Sequence, residues 1–280
     1  MRLVSYDPGV GARAGELRGD EVFDVWGHGE PIREEDRTLS ALLRGGLLGE
    51  LEAAPGDGIP VDSLTLLPPI GDPGKIVCIG LNYRSHAAEA GIDAPEHPTF
   101  FGKFANALAA PGATVSLPAG TDKVDFEAEI AVVMGARCAR VSPDAALDHV
   151  AGYMLFNDLS ARDWQFATPQ WMPGKVFDGS APSGPALVTA AEAGPHDAIE
   201  FRLELNGKVM QEASTSDLIH PVPDLIAHLS ELMTLEPGDI ISTGTPAGVG
   251  STRDPRVWLK PGDEIVISSP TLGELRTTIA

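Results

Sequence analysis

The chain has 280 residues, with 40 Asp and Glu against 20 Lys and Arg, for a formal net charge of −20. A field of that sign repels nucleic-acid phosphates and anionic membrane surfaces, so neither is an expected partner. With 43% hydrophobic residues it can bury a full core, in one large domain or in one plus a small appendage.

No apolar run reaches the roughly 18 to 20 residues that a bilayer span needs. Residues 1–15 lack the basic start and apolar stretch of a secretory signal, so a soluble cytoplasmic protein is expected. Cys78 and Cys138 each sit inside an apolar run and read as buried free thiols.

In chain order, residues 1–70 read as a small N-terminal α/β domain, with strands at Met1–Tyr6 and Glu21–Trp26 and a short helix at Leu39–Leu48. The Pro- and Gly-dense stretch Leu67-Pro-Pro-Ile-Gly-Asp-Pro-Gly74 closes it, and residues 71–280 form the second unit. Lys75–Gly80 is a strand that runs into a short helix or helical lid at Leu81–Gly91. Pro95 and Pro98 then interrupt regular structure. Further strand-length runs are Ile130–Met134, Tyr153–Phe156, Ala186–Thr189, Glu200–Leu205, Ile240–Thr243 and Glu264–Ser268. Val222–Leu235 is the clearest amphipathic helix, with Leu225, Ile226, Leu229 and Leu232 at helical spacing. The pattern is α+β and strand-rich.

The stretch Val-Asp-Phe-Glu-Ala-Glu-Ile carries Asp125, Glu127 and Glu129 at alternate positions. On a strand they share one face, while Val124, Phe126, Ala128 and Ile130 share the other. Three like charges in a row need a cation or a full solvent shell to offset their repulsion, so the segment is either half of a metal site or an acidic solvent face. A second apolar run ends at Asn157-Asp158, and Asp158 at a strand end suits a third ligand. Hard divalent ions take such oxygen donors.

Other groups join these. His86 and Glu89 are spaced to meet on one helix face, where a carboxylate orients an imidazole as a base. A helical turn after Asp158 brings Arg162 and Gln165 to its side, as a fork and an amide for a substrate acid group. Lys175 stands alone in a turn-rich stretch, as a point charge for an enolate or oxyanion. Thr243, Gly244 and Thr245 follow a strand and offer backbone donors.

The ordered series GLNYRSHAAE, VDFEAEIAVV, NDLSARDWQ, GKVFD, LNGKVMQ and LEPGDIISTGTPAGVG resembles the fumarylacetoacetate hydrolase family from about Lys75 to the C-terminus. The N-terminal segment resembles the small extra domain of bacterial members. The resemblance implies a mixed β-sandwich roll, a homodimer, and Mg²⁺ or Mn²⁺ (with Ca²⁺ as a further candidate) held by Glu127, Glu129 and Asp158. It implies His86 and Glu89 as a lid dyad, Lys175 as the catalytic lysine, and Arg162, Gln165 and Thr245 as substrate contacts, with Asp125 outside the ligand set. The activity implied first is metal-dependent C–C hydrolysis of a 1,3-diketo acid or acylpyruvate. Decarboxylation of a 2-oxo acid such as oxaloacetate, isomerisation or hydration of a 2-hydroxydienoate, and a non-catalytic metal-dependent binder stay open.

Overall fold

The computed structural model describes residues 1–9, 11–27, 37–53 and 57–280. Among them a 13-stranded mixed sheet dominates. Its central strands, Ala181–Thr189, Val150–Asn157, Ala128–Met134, Ile240–Ser242 and Ile76–Gly80, lie side by side in that order. They are almost entirely apolar because both faces are covered, which is what their near-continuous hydrophobic runs require. A five-stranded sheet, Thr114–Val115, Gly273–Ile279, Glu264–Ser269, Glu200–Leu205 and Lys208–Ser214, packs against one face.

Alternation along each strand sorts the core. Ile130, Val132 and Met134 meet Phe201, Leu203, Ile265 and Ile267 of the smaller sheet, together with Leu225, Ile226 and Leu229 of the helix Val222–Leu232. Their neighbours Ala131 and Val133 point the other way, to Cys78, Phe101, Met154, Phe156 and Leu187. Leu3, Leu39, Leu42 and Leu43 from the first seventy residues join that second cluster. Arg2–Asp7 pairs antiparallel with Ala181–Thr189, Leu3 opposite Leu187, so the large sheet and its core run on across the Pro-rich stretch at 67–74.

Two helices stop short of the sequence pattern. The first ends at Arg44, where Gly45 and the positive φ of Gly46 break it before a 3₁₀ turn at Leu48–Glu50. The helix from Val222 ends at Leu232 rather than Leu235, because Leu235 is taken into a two-way backbone bridge with Cys138. Among the described residues no helix is long and apolar enough to cross a membrane.

Candidate active site

The acidic stretch is not one strand. Val124–Asp125 pairs with Ser160–Ala161, the ladder lapses at Phe126 and Glu127, and Ala128–Met134 begins a new strand. Side chains replace the missing ladder there: Asn157 Oδ1 accepts from the Glu127 amide at 3.1 Å, and Gln211 Oε1 from the Ala128 amide at 2.9 Å. The facing survives the break. Val124, Phe126, Ala128 and Ile130 all lie in the core shared with the smaller sheet, and the carboxylates point away from it.

Those carboxylates do not form a solvated face. Glu127, Glu129 and Asp158 are 5%, 2% and 1% exposed, and one oxygen from each lies within 4.8 Å of the others. Lys175 Nζ donates to Glu127 at 2.7 Å and to Asp158 at 2.8 Å, so the cation that stands alone in the sequence is buried against two acids. Arg162 Nη2 reaches Glu127 at 2.7 Å and Asp125 at 2.8 Å. Sequence reasoning missed Lys103, whose Nζ donates to Asp158 Oδ1 at 2.7 Å and to the Lys175 carbonyl. One signal was present: in Phe-Phe-Gly-Lys, Lys103 shares a strand face with buried Phe101.

Four acids thus meet three cations, and the imbalance falls on Glu129. It accepts from the Ser242 hydroxyl and from the Gly244 amide at 3.2 Å, with no cation partner among the described residues. Burial, followed by the charges of Asp158 and Glu127, pushes its carboxyl well above the usual range. At Glu127 burial also opposes ionisation, but Arg162 and Lys175 outweigh it and bring the carboxyl down to about 2. Lys175 shows the mirror image: burial disfavours its charge, yet Asp158 and Glu127 raise its pKa, so it stays an ammonium.

Three converging hard oxygen donors, one of them lacking a counter-charge, fit a divalent cation. Glu127, Glu129 and Asp158 would hold it. Asp125 stands apart. Its carboxylate accepts from Arg162, from the Gly250 amide at 2.7 Å and from the Ser251 amide at 3.0 Å.

The predicted lid is the helix Arg84–Ala90, stopped by Gly91 in the left-handed region. His86 Nδ1 lies 3.3 Å from Glu89 Oε2, and Glu89 also accepts from the Gly248 amide at 3.1 Å. Glu89 therefore orients the imidazole and ties the lid to the loop after Thr245.

The remaining groups differ in detail from the sequence pattern. Only Arg162–Gln165 is helical, so Asp158 reaches the cluster from the end of its strand and not from a shared helical turn. Arg162 Nη1 donates to Gln165 Oε1 at 2.9 Å. Since arginine can only donate, this fixes the amide with its NH₂ end free for a ligand acceptor. The Gly244 amide, expected to serve an oxyanion, serves Glu129 instead. Thr245 lines the cavity, but its hydroxyl donates to the Ala128 carbonyl at 3.0 Å and accepts from Gln211 at 2.8 Å. His86, the three clustered carboxylates, Arg162, Gln165, Lys175 and Thr245 border one cavity of about 190 Å³, walled by Ile79, Phe101 and Trp171 and edged by Ile92 and Phe166.

A buried acid cluster under a histidine-bearing lid, on a sheet buried on both faces, is an arrangement suited to metal-assisted chemistry on a small ligand. The chain belongs to the fumarylacetoacetate hydrolase family: residues 75–280 match the family described as Fumarylacetoacetate (FAA) hydrolase C-terminal. It is 43% identical over 291 residues to the mitochondrial oxaloacetate tautomerase FAHD2A of Bos taurus, covering 98% of this chain and 90% of that one. Among solved structures it is similar to a putative HpcE protein from Mycobacterium smegmatis, at TM-score 0.86 and 37% identity over 100% of this chain and 99% of that one. It is also similar to a maleylpyruvate hydrolase from Sphingobium sp. SYK-6 in complex with manganese(II) and pyruvate, at TM-score 0.79 and 30% identity over 100% and 99%. It is therefore an enzyme of this family.

Proposed function

We propose that the enzyme interconverts the keto and enol forms of a small 2-oxo dicarboxylic acid of the oxaloacetate type. The observation that carries this reading is the division of proton work in one cavity: an ammonium held charged by two carboxylates, and an imidazole oriented by Glu89. The similarity to oxaloacetate tautomerases across nearly the whole chain supports it. So does the cavity of about 190 Å³, which is below the roughly 300 to 1,000 Å³ of sites for larger ligands.

A divalent ion on Glu127, Glu129 and Asp158, with Mg²⁺ and Mn²⁺ the best suited, would supply electrophilic stabilisation of enolate oxygens. Lys175, paired with Asp158 and Glu127, stabilises enolate charge as an ammonium; it gives a proton to oxygen as the enol forms and takes it back as the ketone forms. The base at carbon is His86. With Nδ1–H turned to Glu89, its Nε2 is free to take a proton from carbon and return it. The NH₂ end of Gln165 positions a substrate carboxylate oxygen. Arg162 works mainly by holding Glu127 and Gln165 in place.

The test is the decay of enol-oxaloacetate absorbance with Mn²⁺ or Mg²⁺ added. Acceleration that is lost with His86→Asn is expected, and no acceleration over buffer sinks the reading. A second reading is C–C hydrolysis of an acylpyruvate. The same dyad, partly open to water, could activate a water instead, and the similarity to the maleylpyruvate hydrolase supports it. Acetylpyruvate cleavage, scored by pyruvate release, separates the two. Assembly as a homodimer belongs to the same proposal and is checked by light scattering.

A further inference from the structure

One wall of the cavity is a chain of aromatic contacts that starts at the reacting ammonium. Lys175 Nζ sits 5.0 Å from the centre of the Phe101 ring. Phe101 in turn meets Trp171 edge-on, with centroids 5.9 Å apart and planes at 65°. Trp171 lays the benzo edge of its indole on Gly80, where an added Cβ would come within 2.3 Å of Cζ3. The absence of a side chain at position 80, at the end of the strand Ile76–Gly80, is what lets the ring lie so close.

We infer that Trp171, seated on Gly80 and braced by Phe101, sets the upper length of the acid that this enzyme accepts. The inference rests on the proposed 2-oxo acid chemistry and names the substrate class within it: short acids, of about four carbons. Charge argues the same way as space. Among the described residues lining the cavity, the cationic or titratable nitrogen groups are His86, Arg162 and Lys175, and the last two are already committed to carboxylates. A four-carbon diacid is short enough to keep both of its carboxylates clear of the indole, at the polar end of the cavity lined by Arg162, Gln165 and Lys175. A six- or seven-carbon diacid drives its second carboxylate against the indole, where no cation offsets its desolvation. A long alkyl tail is refused only by volume. Removing the indole therefore admits alkyl-tailed acids and leaves long diacids excluded.

The experiment measures affinities of the Mn²⁺-loaded full chain by calorimetry for pyruvate, 2-oxohexanoate, 2-oxooctanoate and 2-oxoadipate. It compares wild type with Trp171→Ala, and with Trp171→Phe as the milder variant should the first fail to fold. The expected result is a rise of about ten-fold in the ratio of 2-oxohexanoate to pyruvate affinity in Trp171→Ala, a smaller rise in Trp171→Phe, and no gain for 2-oxoadipate. An unchanged ratio overturns the inference, as does an equal gain for the diacid. Because binding is read without turnover, a wild type that discriminates by length yet leaves enol-oxaloacetate untouched sinks the proposed reaction alone. A length profile indifferent to Trp171 in an active enzyme sinks the inference alone.

Discussion

Lys103 and Asp158 form a fully enclosed ion pair at 2.7 Å, and the same ammonium holds the carbonyl of Lys175. One buried lysine thereby positions both a candidate metal ligand and the backbone of the candidate catalytic lysine. Replacing a buried pair by apolar groups can be neutral, but removing one partner strands a charge. Lys103→Met should cost roughly 3 kcal/mol, at the lower end for such losses because Lys175 still faces Asp158. It should also weaken Mn²⁺ binding. Denaturant unfolding and metal titration read the two effects, and a stable variant with unchanged metal affinity would show that Asp158 does not depend on Lys103.

His86 belongs to the lid, and among the described residues its side chain makes one hydrogen bond, to Glu89. Its loss should therefore be felt in rate far more than in stability. His86→Asn should lower kcat by about 10² to 10⁴-fold, the usual range for a general base. Metal affinity should hold and Tm should stay close to wild type. Glu89→Gln should lose less in rate, and should also loosen the lid, because Glu89 accepts from the Gly248 amide. Steady-state kinetics beside a thermal melt decide this, and full activity in His86→Asn removes it from the proton path.

The parts of the fold legible in sequence are those where burial on two faces forces a continuous apolar run. Ile76–Gly80 shows this; a second signal, strict alternation over one buried face, marked Glu200–Leu205 and turned Glu127 and Glu129 away from Val124, Phe126 and Ala128. Local spacing also paired His86 with Glu89, because i,i+3 contact on a helix needs no tertiary knowledge. What stayed hidden depends on partners remote in the chain. Lys103 acquires its role from Asp158 and Lys175, and Gln211 from the Ala128 amide and Thr245. The break at Phe126 and Glu127 was equally invisible, since Asn157 and Gln211 supply its substitute hydrogen bonds from distant strands.

Asp125 is the candidate link between the acid cluster and the loop under the lid. It is fully buried, grips Arg162 through Nε at 2.9 Å, and receives the Gly250 and Ser251 amides. Asp125→Asn removes its charge and leaves one oxygen to serve these donors, at a cost of about 3 kcal/mol. Amide hydrogen exchange at Gly250 and Ser251 should quicken, and the affinity for a 2-oxo acid should fall because Ser251 and Thr252 line the cavity. Unaltered exchange at those two amides would mean that the loop is held by other contacts.

Glu129 ties metal binding to pH, and the sign follows from its raised carboxyl. In the metal-free protein the folded carboxyl holds its proton above the ordinary value of 4.5, while the unfolded chain has already lost it. Metal-free stability from this group therefore declines as pH rises from 4.5 through the raised value. A divalent ion needs the carboxylate, so binding expels that proton and tightens across the same window. Mn²⁺ at about 100 times its Kd should add about 2.7 kcal/mol, and at a fixed Mn²⁺ concentration the gain in Tm should be larger at about pH 7 than at about pH 5.5. Glu129→Gln should weaken the binding and flatten its pH dependence, because no proton is left to displace. An equal Tm gain at both pH values in the wild type, with no proton release by calorimetry in buffers of differing ionisation enthalpy, would place the cation on Glu127 and Asp158 without Glu129.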